Sequence, residues 1–307
     1  MENKTSPIRM DATTNTSAQA RKSHQLNPSV SLQIGCAPMG TACQFRPLGR
    51  DAAVGHDYRP IMDLGIAGRT ALVTGASAGL GLASAQALAA EGVRVALVSR
   101  SAEKLAAALP TVAGTPVSVA ADLADDRSID AMLSEVVATL GHVDILVANA
   151  GGPPPGTFAS TDGDLYPAAL QLNLLAHVRM CRALIPPMRE QGWGRVVAIT
   201  SATVREPSPN LMLSNTARAG LTAFLKTTAT EVGRDGVTVN SVQPGLHATG
   251  RLRELYDDLN AVAADHPMGR IGDPTDFGRI VAFLCSETAN YVNGTGLPVE
   301  GGSLKGS

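Results

Sequence analysis

A glycine-rich run, Thr74-Gly75-Ala76-Ser77-Ala78-Gly79-Leu80-Gly81, stands between an apolar stretch and an Ala/Leu-rich stretch. Where a strand turns into a helix, Gly75 permits the tight turn and Gly79 lets the backbone come close to an anion. Gly81 allows the helix to pack close on the sheet, with its N-terminal amides facing that anion. Such a turn typically binds the diphosphate of a dinucleotide cofactor. The residues predicted to bind this cofactor are Thr74, Gly75, Ser77, Gly79, Leu80 and Gly81.

A second group of polar residues, Ser99-Arg100-Ser101, follows the next apolar run. Folds that bind a ribose with free hydroxyls place an acidic residue at this point. A guanidinium instead offers paired donors to a 2′-phosphate, and the two hydroxyls could complete its pocket. The sequence therefore favours NADP(H) over NAD(H), with Ser99 and Arg100 as contacts, although NAD(H) stays open. The alternative is that Arg100 is an ordinary solvated surface residue.

Short apolar runs rich in β-branched residues predict strands of a parallel sheet that is buried on both faces. They are Thr70–Thr74, Arg94–Ser99, Val117–Ala120, Ile145–Ala148, Arg195–Thr200 and Val237–Val242, with a last strand at Gly296–Glu300. Ala and Leu recur at helical spacing between them, at 80–91, 128–140 and 216–232, and a further helix is predicted at 273–284. Repeated strand–helix units predict an α/β fold with a Rossmann-type doubly wound parallel sheet in a single domain.

The first 61 residues differ in composition from the rest of the chain. They are rich in Ser, Thr, Ala and Gln and lack sustained periodicity, so residues 1–61 are predicted to be a disordered extension and 62–307 the folded domain. A transit peptide is the alternative, which acidic residues such as Glu2 and Asp11 weaken. Met62 could be the natural start of the protein.

Composition narrows the range of partners and compartments. The net charge of -2 and the pI near 6.3 disfavour nucleic acid and anionic membranes, so a small soluble substrate is expected. None of the four cysteines forms a CxxC pair, and Cys181 and Cys285 lie in apolar stretches. A reduced compartment follows, and the sequence shows neither a membrane span nor a secretory signal. We therefore expect a cytoplasmic protein.

Several other motifs follow the glycine-rich run in order: Asp122, Asn149-Ala150-Gly151, Asn173, Ser201 and Pro244-Gly245. With them, the chain from Met62 to its C-terminus resembles the short-chain dehydrogenases/reductases, nearest to the 3-oxoacyl-carrier-protein-reductase-like branch. The resemblance implies a dehydrogenase or reductase acting on a carbonyl or alcohol, assembled as a homodimer or homotetramer. It also implies cofactor contacts at Asp122, Leu123, Asn149, Ala150, Gly151, Pro244, Gly245 and Thr249.

The active site departs from the family pattern. That family combines an Asn, a Ser, a Tyr and a Lys, and the resemblance carries the first two onto Asn173 and Ser201. Counting forward from Ser201, the Tyr position is Ser214 and the Lys position is Arg218, four residues apart on one helical face. A Tyr phenol whose pKa is lowered by an adjacent Lys can exchange a proton near neutral pH, whereas Ser214 cannot easily do so. Ser214 and Arg218 are therefore expected to bind and polarise, as donors toward ribose and substrate oxygen.

The proton must then come from elsewhere, and the sequence leaves three sources open. His247 has a suitable intrinsic pKa, although a lone loop histidine is more often idle. Tyr256 lies on the following segment and could simply pack. Water held between Ser201, Ser214 and Asn173 needs no further residue and is slightly favoured. His177, one helical turn after Asn173, is expected to be an interface or core residue.

The substrate of the expected oxidoreductase could also carry a polarised double bond. Two other functions remain possible alternatives to an oxidoreductase. Halohydrin dehalogenases share the fold and place Arg at the Lys position, but they need a Tyr base at position 214 and a degraded glycine turn. Neither condition holds here. The second rival is a subunit or sensor that binds cofactor but is catalytically silent, since the acid is missing while the scaffold is kept.

Overall fold

The computed structural model describes residues 62–306, and these form a seven-stranded parallel sheet with helices on both faces. The strands are β1 (Thr70–Thr74), β2 (Arg94–Ser99), β3 (Val117–Ala120), β4 (Ile145–Ala148), β5 (Gly194–Ile199), β6 (Val237–Pro244) and β7 (Gly296–Val299). The helices are α1 (Gly79–Ala90), α2 (Ala102–Ala108), α3 (Asp126–Leu140), α4 (Tyr166–Leu170), α5 (Ala176–Glu190), α6 (Met212–Val232), α7 (Gly250–Leu255), α8 (Leu259–Asp265) and α9 (Pro274–Leu284).

The strand order is β3-β2-β1-β4-β5-β6-β7, and every neighbouring pair is parallel. The chain winds outward from β1 in one direction and then from β4 in the other. In open α/β sheets, ligands bind in the crevice outside the carboxyl ends of the strands where the order reverses. The crevice between β1 and β4 is therefore the place where a site is expected.

Successive side chains of each strand point to opposite faces of the sheet and form two apolar layers. Leu72 of β1 belongs to the layer that α3, α5 and α6 cover, and its neighbour Val73 belongs to the layer under α1, α2 and α9. Both faces of β1 are fully buried, which is why its sequence reads as a continuous apolar run rather than an alternating one. The predicted Rossmann-type α/β class is confirmed.

The boundaries of some elements differ from the predictions. Helix α6 begins at Met212, one turn before the predicted 216, because Ser and Asn in its first turn interrupt the apolar pattern. Strand β5 runs from Gly194 to Ile199 rather than from Arg195 to Thr200. Strand β6 continues past its apolar run to Pro244, where pairing with β7 holds the chain extended. A local sequence pattern does not show which strands will pair, so it cannot predict this extension.

Other predictions fall partly outside the described residues. The proposed extension 1–61, with Cys36 and Cys43, lies outside them. Cys181 and Cys285 are both buried and unpaired, as their apolar surroundings indicated. Within residues 62–306, no helix is long and apolar enough to cross a membrane.

Candidate active site

The glycine-rich turn joins β1 to α1 at the switch point of the sheet. Gly75 and Gly79 have positive φ angles of 59° and 58°, a backbone region that favours glycine. A Cβ added at Gly81 would overlap the Gly75 carbonyl oxygen and lie 2.8 Å from Asn149 Nδ2. The turn is therefore as tight as the sequence predicted, and bare backbone faces the crevice. Its shape and the α1 N-terminus fit a diphosphate.

Asn149 braces this turn from the end of β4. Its Nδ2 donates to the Gly75 carbonyl oxygen at 3.3 Å. Thr74 Oγ1 donates to the Asn149 carbonyl oxygen at 2.7 Å and accepts from the Asn149 amide at 2.9 Å. These bonds tie the two strands at the switch point together, beside the glycine-rich turn.

The predicted adenosine contacts gather at the carboxyl ends of β2 and β3. Ser99 pairs with Ala120 in the sheet register, so Ser99-Arg100-Ser101 and Asp122-Leu123 leave the sheet side by side. Ser101 caps α2 and Arg100 is exposed, which leaves its guanidinium open to a ligand. Asp122 Oδ1 accepts from the Ala124 amide at 3.0 Å, which fixes the turn. The structure thus brings these predicted residues together.

The segment after β6 forms the opposite wall. At Gly245, a Cβ would lie 2.6 Å from the Glu300 Cβ, so the chain passes β7 closely there. Thr249 caps α7 and accepts from the Leu252 amide at 3.4 Å. A Cβ at Gly79 would lie 3.4 Å from Thr249 Cγ2, so α7 begins beside the glycine-rich turn.

Asn173 lies in a π-helical turn, Gln171–Leu175, between α4 and α5. Such turns are rare and are frequent at functional sites. The side chain is fully buried, with Nδ2 3.5 Å from the Ala169 carbonyl oxygen. Its Oδ1 has no hydrogen-bond partner within residues 62–306, so this acceptor is available to a polar group in the site.

Ser201 stands two residues after β5 and caps a short 3-10 turn. Its Oγ accepts from the Thr203 amide at 3.2 Å and lies 2.9 Å from Thr203 Oγ1. Thr203 therefore places a second hydroxyl beside that of Ser201, which sequence reasoning missed. The sequence shows Thr203 two residues after Ser201, but only the turn brings the two hydroxyls together.

Ser214 and Arg218 lie on one face of α6 and are 9% and 6% exposed. Arg218 Nη1 donates to the Ile199 carbonyl oxygen at 2.9 Å and Nη2 lies 3.4 Å from the Ala150 carbonyl oxygen. The guanidinium is thereby held between the carboxyl ends of β4 and β5. Burial, together with the charge of Arg251, lowers the pKa of Arg218 to about 10, so the group stays protonated at neutral pH. A charged guanidinium therefore lies at the carboxyl ends of two central strands.

His177 is fully buried on α5, one turn after Asn173. Burial and the nearby charge of Arg218 lower the pKa of His177 to about 3, so the ring is neutral at physiological pH. It is a core residue within this chain, one of the two expected alternatives.

His247 is neither exposed nor turned toward α6. It is 5% exposed, and its ring meets Phe277 of α9 edge-on at 5.0 Å. A Cβ at Gly272 would lie 2.7 Å from its Cδ2, so it also packs against that backbone. Burial lowers its pKa. These contacts favour a packing role for His247, while Tyr256 is 39% exposed at the end of α7.

Arg251 is a residue that sequence reasoning missed. From α7 its Nη2 donates to the Pro153 carbonyl oxygen at 2.9 Å, across the crevice in the segment that follows β4. Its Nη1 pairs with Glu254 Oε2 at 3.0 Å. Arg251 stands two residues after Thr249, a predicted cofactor contact, and this was the only sign in the sequence that it could lie near the site. No motif in the segment predicted where its side chain would lie.

Comparison with known proteins gives consistent relatives. The family model described as enoyl-(acyl carrier protein) reductase matches residues 75–303. Nodulation protein G of Azospirillum brasilense is 37% identical over 239 residues, 76% of this chain and 97% of that protein. The 3-oxoacyl-acyl-carrier-protein reductase FabG of Escherichia coli (strain K12) is 34% identical over 236 residues, again 76% of this chain and 97% of the relative.

Among solved structures, the L-sorbose reductase of Gluconobacter frateurii, complexed with NADPH and L-sorbose, superposes with a TM-score of 0.76. It is 35% identical, and the match covers 80% of this chain and 100% of that one. The switch-point crevice and its braced glycine turn define a dinucleotide-binding α/β protein. The chain belongs to the short-chain dehydrogenase/reductase family, which confirms the resemblance, and it is an oxidoreductase of that family.

Proposed function

We propose that the chain is an NADP(H)-dependent oxidoreductase acting on a carbonyl or alcohol, or a polarised double bond, of a small organic or acyl substrate. The observation that carries the proposal is the turn from Gly75 to Gly81, whose close backbone packing leaves a bare cradle for a diphosphate. Ser201 follows β5, whose last residue Ile199 accepts a hydrogen bond from Arg218, and these two residues, with Asn173, would supply a polar centre.

The proposed division of roles follows from the donors available. The cofactor supplies or accepts the hydride. Ser201 and Ser214 would donate hydrogen bonds to the substrate oxygen, and Arg218 would hold the nicotinamide ribose with the N–H groups that its two carbonyl partners leave free. The fixed positive charge favours the negative charge that develops on that oxygen during reduction.

The proton is proposed to reach the substrate oxygen from water. Arg218, with a pKa of about 10, holds its proton at neutral pH, and Ser214 is far less acidic than a phenol. The unpaired Asn173 Oδ1 would accept from such a water, beside the Ser201 hydroxyl. This is the source that needs no side-chain acid, and the inward packing of His247 supports it.

Arg100→Ala is expected to weaken NADPH binding roughly tenfold to a hundredfold, since a charge-assisted phosphate contact would be lost. NADH binding should stay within about twofold, because NADH has no 2′-phosphate for Arg100 to bind. Fluorescence titration with both cofactors measures the difference, and Lys104→Ala on α2 serves as a nearby charge control. Equal losses for both cofactors would remove the assignment of Arg100.

A silent cofactor-binding subunit is the second candidate, and the replacement of a phenol by Ser214 is what favours it. It shares every cofactor contact with the proposed enzyme. Sustained NADPH consumption with any carbonyl, imine or enone separates the two functions, since a silent subunit would bind NADPH without turnover.

Assembly through α5 and α6 is proposed for the native protein, which we expect to work in the cytoplasm. The outward face of α6 carries small residues, including Ala219, Gly220 and Ala223. Small side chains let two copies approach closely around a two-fold axis. Light scattering at micromolar concentration should give two or four times 31.6 kDa. Ala223→Arg should shift that mass downward, whereas a monomeric unmodified protein would contradict the proposal.

A further inference from the structure

We propose that the substrate carries a carboxylate and that Arg251 binds it, so that the enzyme acts on oxo acids or hydroxy acids rather than on neutral carbonyl compounds. The proposal rests on the function proposed above and adds the substrate class. It starts from two guanidinium groups, those of Arg218 and Arg251, that bind one short segment of backbone.

That segment is the four residues 150–153, directly after β4. Arg218 Nη2 lies 3.4 Å from the Ala150 carbonyl oxygen, and Arg251 Nη2 donates to the Pro153 carbonyl oxygen at 2.9 Å. A Cβ at Gly152, between them, would lie 3.4 Å from Arg251 Nε, so the guanidinium rests against bare backbone. Two cations therefore approach the same wall of the crevice from α6 and from α7.

Few carboxylates in the described part of the chain pair with the guanidinium groups of Arg218 and Arg251. Within residues 62–306, Arg218 forms no ion pair, although it is only 6% exposed. The carboxylate paired with Arg251 there is Glu254, whose side chain is 66% exposed. An exposed pair of this kind contributes little, so a ligand carboxylate can replace Glu254 at small cost. The crevice is thus electropositive where a substrate would lie.

The position of Arg251 along the crevice favours substrate over cofactor. The adenosine end is at β2 and β3, near Arg100. Helix α7 begins at Thr249, next to Gly79 of the diphosphate turn, and Arg251 extends from there to the β4 side. That side holds Arg218. A guanidinium in this place can present a fork of two parallel donors to a carboxylate near the polar centre.

The cofactor diphosphate is the other anion that Arg251 could reach, and binding measurements separate the two. Pyruvate and acetoacetate, each against its methyl ester, would be titrated calorimetrically onto the protein saturated with NADP⁺. At least one acid should bind about tenfold or more tightly than its ester, as expected for a charge-assisted contact. Arg251→Gln should remove that preference, with less than about twofold change in NADP⁺ affinity.

Arg253→Gln is the matched control, because Arg253 is an exposed arginine on the same helix. It should leave the acid-to-ester ratio unchanged. Glu254→Gln should tighten acid binding, since it removes the carboxylate that competes for Arg251.

Three results would overturn the proposal: esters that bind as well as acids, no binding of either acid, or an Arg251→Gln variant that loses NADP⁺ affinity but keeps the ratio. An acid that binds through Arg251, while no carbonyl, imine or enone compound including that acid is reduced, would instead contradict the proposed oxidoreductase function and leave the anion site standing.

Discussion

Arg218→Ala is expected to lower kcat/KM for carbonyl reduction about 10²–10³-fold, because the fixed positive charge that favours the developing oxyanion is lost together with the donors that hold the ribose. NADPH affinity should fall in the same variant, because the ribose loses its donors. The structural reason is the placement of the guanidinium, which the carbonyl oxygens of Ile199 and Ala150 hold between two strand ends. Stopped-flow turnover and fluorescence titration of NADPH measure the two effects separately.

Two companion variants make this prediction specific. Arg218→Lys keeps a cation but loses the planar fork, so it should lie between the alanine variant and the unmodified protein. Ser214→Ala should cost less than Arg218→Ala, since one hydroxyl is removed and no charge. If Ser214→Ala instead reduced turnover by orders of magnitude with unchanged NADPH affinity, Ser214 would be the proton donor and the proposed roles would be wrong. Thermal midpoints control for folding, because Arg218 is buried.

Gly81→Ala is expected to abolish useful cofactor binding. The added methyl group would overlap the Gly75 carbonyl oxygen, which is backbone, and lie 2.8 Å from Asn149 Nδ2, which a hydrogen bond holds against that same oxygen. The turn must open, at a cost of about 1–3 kcal/mol of folding free energy, and the diphosphate amides move with it. NADPH affinity should drop roughly a hundredfold.

Gly163→Ala is the control for this variant. A Cβ at Gly163 would meet nothing within 4 Å, and this exposed glycine lies in a short 3-10 turn outside the glycine-rich turn. Its thermal midpoint and NADPH affinity should match those of the unmodified protein. An unchanged NADPH affinity in Gly81→Ala would mean that the turn does not hold the diphosphate.

The fold was predictable because its signals are local. Each buried parallel strand is a short apolar run in the sequence. The glycine pattern could be interpreted because it stands between a predicted strand, β1, and a predicted helix, α1. Gly81 is an example: its position in the glycine pattern predicts a close approach, and the structure has the Gly75 carbonyl oxygen where a Cβ would lie. Strand ends were harder, because β6 extends to Pro244 only through pairing with β7.

The candidate site was predictable only where a motif exists. The resemblance pointed to Asn173 and Ser201, and counting forward from Ser201 gave Ser214 and Arg218. The π-helical turn at Asn173 leaves no mark in the residue pattern. Arg251 depends on how α7 folds across the crevice, which is a tertiary contact between residues about a hundred positions apart.

His247 shows a different limit. Its intrinsic pKa left it open as one of three proton sources, and only the structure shows that it packs against Phe277 and Gly272. Intrinsic chemistry can be taken from the sequence, whereas the direction in which a side chain points cannot.

Transfer of deuterium from cofactor to substrate tests the proposed function most directly. The protein would be incubated with NADPH that carries deuterium at nicotinamide C4, and with carbonyl, imine and enone compounds that include oxo acids. Mass spectrometry of the products should find, for at least one compound, one deuterium on the carbon that accepts hydride, which is the carbonyl carbon, the imine carbon or the β-carbon of the enone, and Gly81→Ala should abolish the signal. Tight NADPH binding by titration, with no deuterium in any product across the panel, would contradict the oxidoreductase and identify a silent subunit.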